Sequence, residues 1–276
     1  MDRLTKLWKR AIAFLLFVSF LGFAGCQSGE VTQDDGQPAE EAQREGKGGV
    51  EPQGGKQEKE QKQVRGEEIP ASGKNDTSPV PDFTDPNSIL VLVNKERPLP
   101  AGYEPSDLVE PNVPFSFDEK HEKRLMRKEA ARALEELFAA SQKNGLSLYA
   151  VSGYRSYDRQ KAIFAYNASK YGEAKANQFS ARPGESEHQT GLAMDVSSPA
   201  VQFDLVEAFG DTPEGRWLAE NAAQFGFIIR YPKDKTHITQ YQYEPWHLRY
   251  VGKKAAQEMA ARNLTLEEYV QLFSNP

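Results

Sequence analysis

The stretch Ser186–Asp195, SEHQTGLAMD, places His188 and Asp195 seven residues apart, with Gly191 between them. On one straight strand, an odd spacing would send these two side chains to opposite faces. Gly191 supplies a permissive residue for a turn. We therefore expect His188 on a loop and Asp195 on the following strand, GLAMDVS, so that both side chains can reach one point.

A second polar cluster lies in YEPWHLRY, where Glu244 and His247 are three residues apart and Pro245 lies between them. Proline removes a ladder hydrogen bond and fixes the local backbone, so we expect a bend that turns Glu244 and His247 to the same side. Two imidazoles and one carboxylate are typical protein ligands of a catalytic zinc site with an open fourth position. The spare carboxylate, Glu244, would then suit the role of general base.

Three motifs, taken in order, resemble those of the VanY-type D-alanyl-D-alanine carboxypeptidases of bacterial cell walls. They are SGYRS at 152–156, SEHQTGLAMD at 186–195 and YEPWH at 243–247. The likeness extends through LVLVNKERPLP and PEGRWLAENAAQFGFIIRYP and covers nearly all of 88–252. Gln240 departs from the glycine that is frequent at this position in the family, which affects only the expected loop shape.

The resemblance implies one zinc ion per chain, held by His188, Asp195 and His247, with Glu244 as the catalytic base. It also implies that the substrate is a peptidoglycan stem peptide that loses its C-terminal D-alanine. A D,D-carboxypeptidase trims the pentapeptide, whereas an L,D-carboxypeptidase trims the tetrapeptide. Ligands and base would be identical in both, so the sequence leaves this choice open, although the lipoprotein-like layout favours the L,D activity.

Three further residues match functional positions of the family. Arg155, in the SGYRS motif, matches a residue that steadies the scissile carbonyl as it becomes an oxyanion, a role that suits a permanently charged guanidinium. Ser186 and Gln160 match positions that hold the C-terminal end of the substrate. His121 and His237 are expected to lie outside the site.

Two other classes of protein share parts of this pattern. Fe(II) oxygenases also use two histidines and one carboxylate, but they usually place a histidine and the acid two residues apart. A non-catalytic zinc module that binds wall peptides or a partner protein would be expected to lack the base or the arginine. Glu244 and Arg155 are both present, which favours peptidase activity.

The N-terminus predicts export. Lys6, Lys9 and Arg10 precede an apolar run, Ala11–Ala24, that is short for a membrane span but typical of a signal peptide. The run ends in FAGC, which resembles a lipobox, and Cys26 is the only cysteine of the chain. We therefore expect 1–26 to be a lipoprotein signal peptide and a lipid on Cys26 to anchor the protein at the outer face of the bacterial cytoplasmic membrane.

Residues 27–82 contain no Phe, Trp or Tyr and are rich in Gly, Gln, Glu and Lys. Such a segment cannot bury enough apolar surface to offset its ordering entropy, so it is predicted to be a disordered acidic tether. The net charge of the whole chain is −6. Nothing in that charge indicates nucleic-acid binding, and we expect a monomer.

Residues 83–276 are predicted to form one compact α+β domain, with a small antiparallel sheet flanked by helices, similar to hedgehog and DD-peptidase domains. Strands are expected at 88–94 (SILVLVN), 146–152 (LSLYAVS), 191–197 and 227–231. Ser116 and Glu119 fit a capping box before a helix that ends near Gly145. Further helices are expected from Ser156 or Asp158 to Gly172, from Thr212-Pro213 to Gly226, at 253–263 and after Thr265.

Overall fold

The structure is a computed structural model that describes residues 81–274. The predicted signal peptide, Cys26 and all but the end of the predicted tether lie outside these residues. Within 81–274, no helix combines the length and the apolar character needed to cross a bilayer.

Six short strands form two antiparallel sheets in the described part of the chain. They are β1 (Leu108–Val109), β2 (Met126–Arg127), β3 (Tyr149–Ser152), β4 (Ala193–Ser197), β5 (Phe227–Tyr231) and β6 (Glu244–Tyr250). Strands β1 and β2 pair with each other, and the main sheet has the order β3-β4-β6-β5.

Residues 81–274 also form seven α-helices. They are α1 (Lys128–Lys143), α2 (Tyr157–Tyr171), α3 (Glu173–Phe179), α4 (Pro213–Asn221), α5 (Thr236–Thr239), α6 (Lys253–Arg262) and α7 (Leu266–Ser274). Short 3₁₀ turns connect them, at Glu122–Arg124, Glu187–Thr190, Pro199–Val201, Glu207–Asp211 and Ala222–Phe225. The α+β class with a small antiparallel sheet is therefore confirmed.

The two central strands divide their side chains between a core face and a site face. Met194 of β4 and Leu248 of β6 pair with each other and are completely buried in the main hydrophobic core, which also includes α1. Because side chains alternate along a strand, Asp195 and His247 point to the opposite face, and they too are direct cross-strand partners. The sheet thus carries the core on one side and a polar site on the other.

Helix α1 begins later than the sequence predicted. The expected apolar face is confirmed, with Leu134 and Leu137 fully buried. However, the capping box at Ser116 was wrong, because the Ser116 backbone N–H donates to Ala150 O at 3.0 Å and joins that segment to β3. The helix starts only after β2, at Lys128, and ends beside Gly145 as expected.

The predicted strand SILVLVN is also wrong. Val91, Leu92 and Val93 are buried, yet this segment makes only an isolated bridge from Asn94 to Arg97. Its backbone groups find partners outside a ladder: the Leu92 N–H donates to Phe83 O at 2.9 Å. The predicted burial of the apolar side chains is confirmed, but the hydrogen bonds that define a strand are absent from this described segment.

The remaining elements follow their sequence signals. The Ser156 hydroxyl caps α2 by accepting from the Arg159 N–H. The predicted box at the start of α7 is present, since Glu268 Oε2 accepts from the Thr265 N–H at 2.8 Å and the Thr265 hydroxyl accepts from the Glu268 N–H at 3.2 Å. Gly226, with φ 88°, ends the helical segment before β5.

Candidate metal centre and active site

The turn predicted at Gly191 is present and brings His188 to Asp195. Residues Glu187–Thr190 form a 3₁₀ turn, and Gly191 follows it with φ 65°, in the left-handed region that favours glycine. The chain then enters β4, where Asp195 lies on the site face. As a result, His188 Nε2 lies 3.3 Å from Asp195 Oδ2.

The bend predicted at Pro245 is present as an irregularity in the pairing of β5 with β6. Ile229 pairs with Leu248 whereas Tyr231 pairs with Glu244, so the β6 backbone bulges around Pro245. The bulge leaves Glu244 and His247 on one side, with Glu244 Oε2 3.8 Å from His247 Nδ1. His247 Nδ1 in turn lies 3.0 Å from Asp195 Oδ1.

The three predicted ligands form a donor set that fits a small divalent metal. One ligand atom each from His188, Asp195 and His247 lie within 4.8 Å of one another, and all three residues are buried. Metal bonds of about 2.0–2.2 Å in a tetrahedral site place the donors roughly 3.3–3.6 Å apart. The distances from Asp195 to His188 and to His247, 3.3 and 3.0 Å, lie near this range. Asp195 Oδ1 is buried and makes no hydrogen bond to a described residue. A shared cation would satisfy that oxygen.

Electrostatics keep this donor set charged. Burial would raise the pKa of Asp195, but the adjacent His188 and His247 rings outweigh it and hold that pKa below its usual range. Burial would lower the pKa of His247, but Asp195 and Glu187 outweigh it and raise that pKa to about 9. The metal-free site therefore pairs an ionised Asp195 with a His247 ring that keeps its extra proton at neutral pH and must release it to bind a metal.

His188 is oriented by the SGYRS loop. Its Nδ1 lies 2.8 Å from Gly153 O, so a proton on Nδ1 can bond the carbonyl and leave the Nε2 lone pair facing Asp195. The same loop also bonds the His188 backbone: the Arg155 N–H donates to His188 O at 3.2 Å. A side chain at Gly153 would place Cβ 2.4 Å from Leu125 O, so only glycine allows this close approach.

Arg155 and Gln160 lie together beside this loop. Arg155 Nη1 donates to Gln160 Oε1 at 2.9 Å, and Gln160 Nε2 donates to Ala181 O at 2.6 Å. Gln160 is 1% exposed, so in this structure its amide supports Arg155. Ser186 is buried directly before the 3₁₀ turn that carries His188. The predicted substrate contacts of Gln160 and Ser186 stay predictions.

Glu244 lies on the more open side of the cluster. Its side chain is 19% exposed, compared with 4% for His247 and 5% for Asp195. A carboxylate beside the donor set, yet reachable from solvent, has the position that a general base requires. The assignment of Glu244 as base and not as ligand stays a prediction.

The other two histidines lie outside the cluster, as expected. His121 precedes the 3₁₀ turn Glu122–Arg124, where its Nδ1 accepts from the Lys123 N–H at 3.1 Å. His237 is exposed on α5.

The sequence reasoning missed a buried ionic network behind His247. The Glu187 side chain has no exposed surface, and its Oε1 accepts from Arg230 Nε at 2.7 Å and Arg249 Nη1 at 2.6 Å. Burial would raise the pKa of Glu187, but the two guanidinium groups outweigh it and hold that pKa below its usual range. The sequence contains an indication of this network, because FIIRY and WHLRY each place an arginine in an apolar strand. A buried arginine needs an acidic or polar partner.

Comparison with known proteins agrees with the site geometry. Residues 123–253 match the family model described as VanY, D-alanyl-D-alanine carboxypeptidase. A Bacillus subtilis (strain 168) protein named as a carboxypeptidase, YodJ, is 62% identical over 187 residues, which are 68% of this chain and 68% of that protein. The chain therefore belongs to the VanY family of carboxypeptidases.

Two solved structures relate the fold to particular activities. The LdcB LD-carboxypeptidase is 62% identical, with a TM-score of 0.66, and the match covers 67% of this chain and 87% of that one. The vancomycin resistance D,D-pentapeptidase VanY, solved as a mutant with Zn(II), is 33% identical, with a TM-score of 0.56 and coverage of 68% and 99%.

Proposed function

We propose that this protein is a zinc-dependent carboxypeptidase that removes the C-terminal D-alanine from peptidoglycan stem peptides. The observation that carries the proposal is the convergence of His188, Asp195 and His247 at one buried point, with Glu244 beside it. The similar VanY structure contains Zn(II), and the LdcB structure is described in terms of peptidoglycan recognition, which supports both the metal and the substrate class.

The residues divide the chemistry among them. His188, Asp195 and His247 would hold the zinc, which would act as a Lewis acid and lower the pKa of water. Glu244 accepts the proton of the attacking water and delivers it to the departing amine of D-alanine. Arg155, held by Gln160, stabilises the negative charge that develops on the scissile carbonyl oxygen.

For the peptide cut, the comparisons favour the L,D reaction. The chain is 62% identical to the LD-carboxypeptidase LdcB and 33% identical to the D,D-pentapeptidase VanY. We infer that the tetrapeptide stem, which becomes a tripeptide, is the preferred substrate. The pentapeptide is the second candidate, because the ligands and the base would serve either cut.

The proposed location follows from the N-terminal sequence. The basic residues, the apolar run and Cys26 support an exported lipoprotein, and 27–82 supports a long flexible tether between membrane and domain. An enzyme held in this way would reach wall stems near the outer face of the membrane.

The function is tested with defined stem peptides. Full-length protein in detergent is incubated with the pentapeptide and the tetrapeptide, and the products are weighed by mass spectrometry. We expect the tetrapeptide to lose one D-alanine faster than the pentapeptide does, and the Glu244→Ala variant to cleave both at least about 10²-fold more slowly. Binding of both peptides without cleavage by the wild type would instead indicate a non-catalytic binding module.

A further inference from the structure

We propose that Glu187 is a positioning residue that orients His247 for metal binding, and that two buried arginines hold Glu187 in place. This inference rests on the proposed zinc site but concerns a residue outside its ligand set. Glu187 directly precedes the ligand His188 in sequence, yet it acts on the other ligand histidine.

The two oxygens of Glu187 face different partners. Oε1 accepts from both Arg230 and Arg249. Oε2 is buried and faces His247 Nε2, at an ion-pair distance of 3.4 Å. Neither of these two atoms makes a well-aligned hydrogen bond to a residue of 81–274. These two atoms can therefore form a hydrogen bond with each other after a small rotation of the His247 ring.

The tautomer of His247 requires such an acceptor. Its Nδ1 lies 3.0 Å from the ligand Asp195, and its Nε2 faces Glu187, so we take Nδ1 as the ligand atom. A ring that binds metal through Nδ1 must carry its proton on Nε2, and here Nε2 is buried. A carboxylate on that N–H fixes the ring plane and increases the basicity of the ligand nitrogen. On the other ligand histidine, His188, the ring nitrogen that faces away from Asp195 contacts a neutral carbonyl, Gly153 O, and not a carboxylate.

The network around Glu187 is rigid and balanced in charge. Arg230 also bonds both oxygens of Glu267 on α7, at 2.8 and 2.6 Å. Arg249 donates to the carbonyls of Ile89 and Val91, at 3.0 and 2.8 Å. Two guanidinium groups thus face two carboxylates. Glu187 is held by the arginines of β5 and β6, and these arginines are held in turn by Glu267 and by the carbonyls of residues 89 and 91.

The network supplies its own matched control. Glu187→Gln replaces the anionic acceptor of His247 by a neutral amide of the same size. Glu267→Gln removes one negative charge from the same buried network, but Glu267 bonds Arg230 and not His247. Zinc affinity of full-length protein in detergent is measured by competition with a chelator, and the thermal midpoint of each variant is recorded alongside. We expect Glu187→Gln to weaken zinc binding by about 10–100-fold, and Glu267→Gln to leave zinc affinity at the wild-type value.

A spectroscopic measurement on the wild type covers the case in which Glu187→Gln does not fold. With ¹⁵N-labelled histidine in the zinc-loaded protein, we expect the His247 ring to be protonated at Nε2, with a proton protected from exchange. A proton found on Nδ1 would overturn the inference.

The other outcomes are also decisive. Native zinc affinity in a folded Glu187→Gln variant would show that Glu187 does not position the ligand, and equal losses in both variants would assign the effect to general destabilisation. If the wild type itself binds no zinc, the proposed function fails, which is a different result from the failure of Glu187 alone.

Discussion

Glu244 and His247 lie three residues apart on the same strand, yet we expect their removal to affect zinc binding differently. His247→Ala should lose zinc and activity together, because it removes a ligand. Glu244→Ala should keep zinc and substrate binding while turnover falls by roughly 10²–10⁴-fold or more, because it removes only the base. Metal analysis and peptide cleavage on the same preparations make the comparison.

The exposed residue His237 supplies the control for this pair. His237→Ala should leave both zinc content and turnover unchanged, because α5 presents it to solvent. Release of zinc by Glu244→Ala as readily as by His247→Ala would show that Glu244 is a ligand and not the base.

The sequence predicted which side chains meet at the site, but it did not predict that Glu187 contacts one of them. The proximity of four residues was predictable because Gly191 and Pro245 mark the two local bends; the four are His188, Asp195, Glu244 and His247. The role of Glu187 could not, because its bonds reach Arg230 and Arg249, which lie 43 and 62 residues away. Partners at that separation are set by strand pairing.

At the level of the elements, Gly153 in the loop between β3 and α2 has too little room for a side chain. Gly153→Ala would force Cβ to 2.4 Å from Leu125 O and 2.8 Å from Met194 Cε, so the loop must shift. We expect a loss of stability of about 1–3 kcal/mol from this overpacking. Zinc binding should also weaken, because Gly153 O orients His188. Chemical denaturation and chelator competition measure the two effects.

Gly102→Ala is the matched control, because an added Cβ there has no neighbour within 4 Å. It should change neither stability nor zinc affinity appreciably. A Gly153→Ala variant as stable as Gly102→Ala would contradict the close approach described for this loop.

The two wrong element predictions share a cause. SILVLVN has the composition of a strand, but the carbonyls of Ile89 and Val91 accept from the Arg249 side chain instead of a neighbouring strand. Ser116 has the spacing of a helix cap, but its N–H pairs with Ala150. Long-range hydrogen bonds override local propensity in both segments. The α7 capping box was predictable because all its bonds are local.

For the whole molecule, we predict that Cys26 carries the lipid anchor. Cys26→Ser should lose the lipid and either leave the signal peptide uncleaved or release the protein differently, because the only cysteine is gone. Several acyl chains are needed for a secure anchor, at about 0.8 kcal/mol per buried CH₂. Metabolic labelling with a fatty-acid analogue tests this. An unlabelled mature protein whose N-terminus is not Cys26 would contradict it.

The catalytic domain is expected to act independently of its anchor. Every predicted site residue other than Cys26 lies between Arg155 and His247. A protein without residues 1–82 should therefore stay soluble and cleave free stem peptides at the full-length rate per molecule. A rate well below that of the full-length protein in detergent would show that the N-terminal segment contributes to the site.

The measurement that tests the central claim most directly is a zinc titration of metal-free protein, with D-alanine release followed at each step. His188, Asp195 and His247 form one buried donor set, so activity on the tetrapeptide should rise from near zero. It should reach its plateau at about one zinc per chain. Full D-alanine release by the metal-free protein in the presence of chelator, or a folded protein that takes up no zinc, would contradict the account.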